Sequence, residues 1–158
     1  MKLLPVLIPK PLWGINAHSL IGGSAWQRMR RDTFLRDKHC CVICQQQGPL
    51  ECHEVFLYDD ATGTAVLTKL ESRCAECHSF NHLGRLRKVD PQGFKRALVC
   101  IGRINDIGSE EVILLVKNAF SLHKNRTRPW QLKVTEDLLK PYPELKRLVG
   151  YYPIGEKT

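Results

Sequence analysis

The pattern of hydrophobic and polar residues predicts a β-hairpin near the middle of the chain. A short apolar run from Leu50 to about Tyr58 has the length and composition of a strand. Residues 59–63 carry aspartate and glycine where a hairpin turn needs them. Residues 64–67 are rich in β-branched side chains and predict the returning strand.

Before this hairpin, residues 25–37 show the spacing of an amphipathic helix. Its apolar side includes Trp26 and Met29, and its opposite side carries mostly basic residues. Ser24 is a suitable N-cap for this helix, and Gln27 is placed to complete a capping box.

Three further helices are expected after the hairpin. The first runs from about residue 74 toward residue 86. The second follows Asp90 and Pro91 and has its apolar residues at helical spacing. The third begins at a cap on Ser109, has glutamates in its first turn and ends before Pro129.

Proline and glycine interrupt both ends of the chain. Residues 1–23 are therefore expected to form an extended, irregular arm, with Trp13 packed onto the domain. A short strand is predicted at residues 130–134, followed by an irregular tail. We expect one α+β domain, with a helix and the core in residues 24–89 and a helical extension in residues 90–158.

Charge and hydropathy indicate the kind of partner. The formal net charge is +8 and the pI is about 9.3, which favours a polyanion such as nucleic acid, although a solvated basic surface has the same balance. No apolar run approaches the ~18 residues of a membrane span. The apolar N-terminus is broken by prolines and is a poor signal peptide. A cytoplasmic protein with no membrane association is expected.

The cysteines predict a metal site. Seven cysteines, an odd number, include two Cys-x-x-Cys pairs, which favours metal in a reducing compartment over disulfides. Zinc prefers tetrahedral thiolate coordination, and a closed four-sulfur site is structural because it has no open position for substrate. The predicted structural zinc ligands are Cys41, Cys44, Cys74 and Cys77.

The remaining cysteines leave one alternative open. Cys40 competes with Cys41, because its spacing to Cys44 is also allowed, although the symmetry of Cys-x-x-Cys favours Cys41. Cys52 and Cys100 lie in apolar contexts and are interpreted as buried thiols.

Three histidines form a second signal. His78 and His82 are spaced i, i+4, so on a helix they project from one face. His53, on the first hairpin strand, would lie against that helix, and the three imidazoles can then share a divalent ion. Glu54 alternates to the opposite face unless the strand bulges or ends there. Such an ion would suit phosphodiester hydrolysis; the alternative is that the histidines fill polar gaps beside the zinc.

These motifs resemble the HNH endonucleases, also called ββα-metal or His-Me finger nucleases. The resemblance rests on Leu-Glu-Cys-His-Glu-Val-Phe at 50–56, Tyr-Asp-Asp at 58–60 and Cys-x-x-Cys-His-x-x-x-His-Leu-Gly at 74–84. It is closest to a bacterial branch whose core reads like E-C-H-E-V-W, Y-D-D and C-x-x-C-H-x-x-x-H-x-G. It implies a zinc-bound, treble-clef-like ββα-metal core with flanking N-terminal and C-terminal helices.

The resemblance also implies residue roles. His53 takes a metal-ligand position and Glu54 the general-base position; in the alternative register His53 is the base and Cys52 the ligand. The chain departs from the common pattern at Glu54, where a second histidine is usual, and near Lys69, where an asparagine is usual. The implied catalytic residues are His53, Glu54, His78 and His82, of which the three histidines hold Mg²⁺, Mn²⁺, Ni²⁺ or Zn²⁺.

Basic residues around the site predict phosphate contacts, with surface solvation as the alternative. These residues are Lys69, Arg73, Arg85, Arg87 and Lys88. The first hypothesis is therefore a metal-dependent HNH endonuclease that hydrolyses DNA. The alternatives are a zinc module that binds nucleic acid without cleaving it and a scaffold that binds a partner protein; a homodimer is also left open.

Overall fold

A long β-hairpin forms the centre of the fold. The computed structural model describes residues 3–153; the ends of the predicted arm (1–2) and tail (154–158) lie outside the described residues. Strand β1 (Leu50–Asp59) pairs antiparallel with β2 (Thr64–Cys74). The predicted hairpin is confirmed, but β2 continues past the predicted end at residue 67 because the charged residues beyond it stay paired with β1.

One irregularity divides the hairpin. The register shifts between Val55 and Phe56, so Thr68 is the extra residue on β2. Its hydroxyl donates to the Val55 carbonyl at 3.1 Å. The bulge lets Leu67 and Leu70, which lie three residues apart, both enter the core.

Two further strands complete a mixed sheet of order β1-β2-β3-β4. Strand β3 (Trp130–Val134), predicted from the sequence, runs parallel to β2, and β4 (Gly150–Tyr152) runs antiparallel to β3. The prediction of an irregular tail is wrong. The tail also contains α7 (Glu136–Leu139) and a 3-10 helix (Pro143–Leu148), whose buried leucines fill the core beside the sheet.

The N-terminal segment is more ordered than the predicted arm. It contains a 3-10 helix (Lys10–Leu12) and the short helix α1 (Ala17–Ile21). Asn16 caps α1 by accepting the Ser19 N–H at 2.9 Å. Five residues are too few to show helical periodicity, and the surrounding prolines and glycines favour an irregular segment, so the sequence does not predict α1.

Helix α2 (Gly23–Arg36) follows directly. The predicted cap on Ser24 is wrong, because the N-cap is Gly22 at φ +90°, without a side-chain cap bond. Trp13 stays 57% exposed, and its indole N–H donates to the Ile8 carbonyl within the same segment at 3.0 Å. Its ring contacts the rest of the domain by stacking on His123.

Helices cover the other end of the hairpin. The single helix predicted over 74–86 is broken in the structure. The elements there are α3 (Ala75–Ser79), a 3-10 helix (Phe80–His82), α4 (Leu83–Val89), α5 (Pro91–Asn105) and α6 (Ser109–Asn125). Helix α6 begins at Ser109, although its N-cap is Gly108 rather than the predicted serine.

Two hydrophobic clusters flank the hairpin, and the α+β prediction is confirmed. The first packs α1, α2 and the tail against the sheet around Trp130 and Met29. The second packs α3 to α6 around Phe80 and Leu83 and includes two of the metal-site cysteines. Each cluster combines residues of the arm, the central segment and the C-terminal extension. No helix within residues 3–153 is long and apolar enough to cross a membrane.

Candidate metal centre

The four predicted cysteines converge. Cys41 and Cys44 lie in the turn after α2, Cys74 ends β2, and Cys77 lies in α3. Their sulfurs all lie within 4.8 Å of one another, and the Cys44 and Cys74 sulfurs are 3.8 Å apart. Zn–S bonds of ~2.3 Å in a tetrahedron place sulfurs about 3.8 Å apart. The cluster could therefore hold a metal ion such as zinc.

Backbone hydrogen bonds fix the first cysteine turn against β2. The Val42 N–H donates to the Ser72 carbonyl at 2.9 Å. Asp37, just after α2, accepts the Ser72 N–H at 2.8 Å. Inside the turn, the Gln45 N–H returns to the Cys41 carbonyl at 2.8 Å. These hydrogen bonds connect the first cysteine turn to the strand that ends at Cys74.

The surroundings of Cys41 suit a thiolate ligand. Burial opposes its ionisation, but hydrogen bonds from the backbone of Cys44, Cys74 and Ile43 outweigh burial and lower the pKa of the thiol to about 7. Among the described residues, Cys40 does not join the group; its thiol donates to the Lys38 carbonyl. The structure thus brings together Cys41, not Cys40, with the other three sulfurs.

The other two cysteines are only partly buried and pack against the hydrophobic clusters. Burial raises the pKa of Cys52 to about 11, so its thiol stays protonated. Cys52 lies on the core side of β1, away from the metal groups found among the described residues. This placement argues against the register in which Cys52 is the ligand and His53 the base.

The three predicted histidines also converge. His53 projects from β1, His78 from α3 and His82 from the end of the following 3-10 helix. Ligand nitrogens of all three lie within 4.8 Å of one another, and the Nε2 atoms of His78 and His82 are 3.4 Å apart. The break in the helix therefore does not separate the i, i+4 pair.

Electrostatics keep at least two of these rings ready to bind metal. Burial, followed by the positive charge of Arg73 and the neighbouring histidines, lowers the pKa of His53 to about 2. Burial also lowers the pKa of His82. A neutral imidazole offers a lone pair to a metal. Three imidazoles suit Zn²⁺, Ni²⁺ or Fe²⁺ better than Mg²⁺, which prefers oxygen ligands.

Alternate residues of the two strands form one surface, which we name the histidine face. Its cross-strand pairs are Glu51 with Arg73, His53 with Glu71 and Val55 with Lys69. Lys69 and Arg73 both form ion pairs with Glu71, the latter at 2.6 Å. Burial opposes ionisation of Glu71, but these ion pairs hold the pKa of its carboxyl below the usual value.

Sequence reasoning missed Glu51. Its carboxylate contacts the Nδ1 atom of His78, which leaves Nε2 directed toward His82. A carboxylate that accepts the second N–H of a ligating histidine fixes the ring and raises its basicity. The available signal was strand alternation, because Glu51 lies two residues before His53 and so shares its face.

Replacement of Glu51 by glutamine should weaken metal binding at the histidines. Because the carboxylate supports His78, we expect about 10- to 100-fold weaker binding of Ni²⁺. Calorimetric titration of Ni²⁺ into protein with its cysteine site filled measures this. Glu76→Gln, an exposed change on the same helix as His78, is the matched control. Equal affinities for both variants would contradict the assigned role of Glu51.

Glu54 does not join the histidines. It accepts the Ala17 N–H at 2.8 Å, at the start of α1. The bulge that could redirect it comes one residue later, after Val55, so Glu54 keeps the regular alternation away from His53. The histidine cluster found among the described residues therefore does not include Glu54, the predicted base.

Glu54 should make stability depend on pH. Burial raises its pKa from 4.5 to about 7, although the Ala17 N–H opposes this. Because the pKa of Glu54 is raised in the folded state, the contribution of its protonated carboxyl to the free energy of unfolding is complete below about pH 4.5. This contribution is lost as the pH rises through 7. The stability advantage of Glu54→Gln over the original chain should grow by about 2 kcal/mol between about pH 5.5 and 8.

Urea denaturation of both proteins at the two pH values measures this difference. Glu136→Gln, at an exposed position on α7, is the control and should show no such growth. An advantage that is the same at both pH values would contradict the burial of an ionisable Glu54.

The predicted phosphate contacts divide into two groups. Lys69 and Arg73 line a cleft together with the three histidines. Arg85, Arg87 and Lys88 are exposed on α4 and are not among the residues lining that cleft. Arg87 lies over the ring of Phe120 at 5.0 Å.

The cleft has a volume of about 540 Å³ and a lining of mixed character. Its polar lining includes the histidines, Glu71 and Arg73. Its apolar lining includes residues of the N-terminal segment, among them the partly exposed Leu4 and Val6.

Comparison with known proteins assigns no family. No protein-family model matches the chain, and no curated protein or solved structure is significantly similar to it.

Proposed function

We propose that this protein is a metal-dependent HNH-type endonuclease that hydrolyses phosphodiester bonds in DNA. The observation that carries the proposal is the convergence of His53, His78 and His82 in a cleft beside the four-cysteine cluster. Cysteines at both ends of the hairpin and a helix directly after β2 match what the resemblance to HNH endonucleases implies. The +8 charge suits a polyanionic substrate.

A divalent ion at the three histidines would polarise the phosphate and lower the pKa of water. The chain supplies the rest of the site. His53 is held neutral by burial and by Arg73, and Glu51 orients His78. The proposal assigns metal binding to the three histidines and structural zinc to Cys41, Cys44, Cys74 and Cys77. It assigns no base role to Glu54, whose carboxylate faces α1.

The experiment is cleavage of supercoiled plasmid by purified protein, with the cysteine site filled and one divalent ion added at a time. We expect nicking with Ni²⁺, Mn²⁺ or Zn²⁺ and slower nicking with Mg²⁺, because imidazoles are poor magnesium ligands. A parallel single-stranded RNA substrate tests the DNA preference. Intact plasmid with every ion would contradict the proposal.

A second function has specific support. The position implied for the general base holds Glu54, which is turned away, and the position near the usual asparagine holds Lys69, which is paired with Glu71. Both observations favour a zinc module that binds nucleic acid without cutting it. Salt-dependent DNA binding without nicking under any ion would select this function.

A further inference from the structure

One arginine in the cleft has an unused hydrogen-bond donor. Arg73 is only 6% exposed, and its Nε and Nη2 atoms both donate to Glu71, at 3.1 and 2.6 Å. Its Nη1 atom is buried and has no hydrogen-bond partner within residues 3–153. Arg73 lines the cleft beside His53 and His82.

This arrangement is costly unless something binds there. A buried donor without an acceptor has lost its hydrogen bonds to water without gaining one from the protein, and this loss is larger for a charged donor. Glu71 does not need both cations, because Lys69 already forms an ion pair with it. A guanidinium that lines the same cleft as the three histidines also opposes the binding of a metal cation to them.

An anion resolves both problems. It would accept the Nη1 hydrogens, and it would offset the charge of a guanidinium and a divalent ion lying close together. Guanidinium groups pair well with phosphate oxygens. Two bonds to Glu71 hold the guanidinium plane in place, so the position of Nη1 is fixed before the anion arrives.

We propose that Arg73 and the histidine cluster form one phosphate-binding site, in which Arg73 Nη1 donates to a non-bridging oxygen of a phosphodiester. This inference rests on the proposed function and names the group that the cleft recognises. Arg73 thereby differs from Arg85, Arg87 and Lys88, whose exposed positions on α4 suit loose contacts with a nucleic-acid backbone.

The test is calorimetric binding of dimethyl phosphate, a phosphodiester monoanion, to the Ni²⁺-loaded protein. Arg73→Lys keeps a positive charge near Glu71 but removes the free guanidinium edge, and we expect at least about 10-fold weaker binding. Arg103→Lys, an exposed change on α5 outside the cleft, should bind as the original chain does. Equal affinities for all three proteins would overturn the proposal.

Two further measurements keep the outcome unambiguous. If Arg73→Lys does not fold, the ¹⁵N resonances of the Arg73 guanidinium in the original chain must shift as dimethyl phosphate is added; unchanged resonances would overturn the proposal. Plasmid cleavage is measured separately. Phosphate binding through Arg73 without cleavage would support this site and reject the nuclease. Cleavage that is unchanged in Arg73→Lys would support the nuclease and reject this site.

Discussion

Replacement of Cys77 by serine should unfold the protein and release its structural metal. Cys77 is 3% exposed and joins the sulfur cluster to the second hydrophobic cluster. Structural zinc contributes about 10–16 kcal/mol of apparent binding free energy in small domains, whereas the net stability of a domain is only about 5–15 kcal/mol. Loss of one sulfur ligand weakens binding of the ion, and release of the ion removes a free energy comparable to the whole net stability of the fold.

Circular dichroism during heating and metal analysis of the purified protein measure the two effects together. Cys40→Ser is the matched control, because Cys40 is adjacent to the cluster but outside it, and it should melt like the original chain with the same metal content. A Cys77→Ser protein that is folded, or an original chain that is folded without metal, would rule out the zinc assignment.

The cysteine site was predictable because it depends on local spacing. Two Cys-x-x-Cys turns separated by a hairpin can converge in few ways, and the structure adds mainly the choice of Cys41 over Cys40. The histidines followed for the same reason. His78 and His82 are one helical turn apart. The cysteine pairs before and after the hairpin hold the helix that follows β2 close to His53 on β1.

What the sequence could not show depends on contacts between distant segments. Glu54 faces the core because α1, more than thirty residues earlier, offers it an N–H from Ala17. The tail forms regular structure because β4 pairs with the edge of β3 that β2 leaves open. The spacing of hydrophobic residues within one segment does not predict either of these long-range contacts.

Of the histidine face, only the residues contributed by β1 were predictable, for a similar reason. Alternation along β1 places Glu51 beside His53, which the sequence does show. The register that sets Glu71 opposite His53 and Arg73 opposite Glu51 depends on the bulge at Thr68. A bulge is not detectable from composition, so the partners contributed by β2 emerge only from the fold.

Replacement of His78 by alanine should abolish plasmid cleavage and leave the fold intact. The imidazole is one of three expected metal ligands and belongs to neither hydrophobic cluster. Loss of a ligand that holds a catalytic ion removes several kcal/mol of transition-state stabilisation, so we expect cleavage to fall by at least about 10³-fold. The melting temperature and the zinc bound at the four cysteines should stay close to those of the original chain.

His123→Ala is the control for this prediction. His123 lies on α6, contacts Trp13 and the Ile8 carbonyl, and lies outside both metal groups found in residues 3–153, so its loss should leave cleavage unchanged. If His78→Ala instead unfolds or loses its zinc, then the histidines support the cysteine site rather than a second ion. If His78→Ala loses both its folded structure and its cleavage activity, this protein has one metal centre and not two.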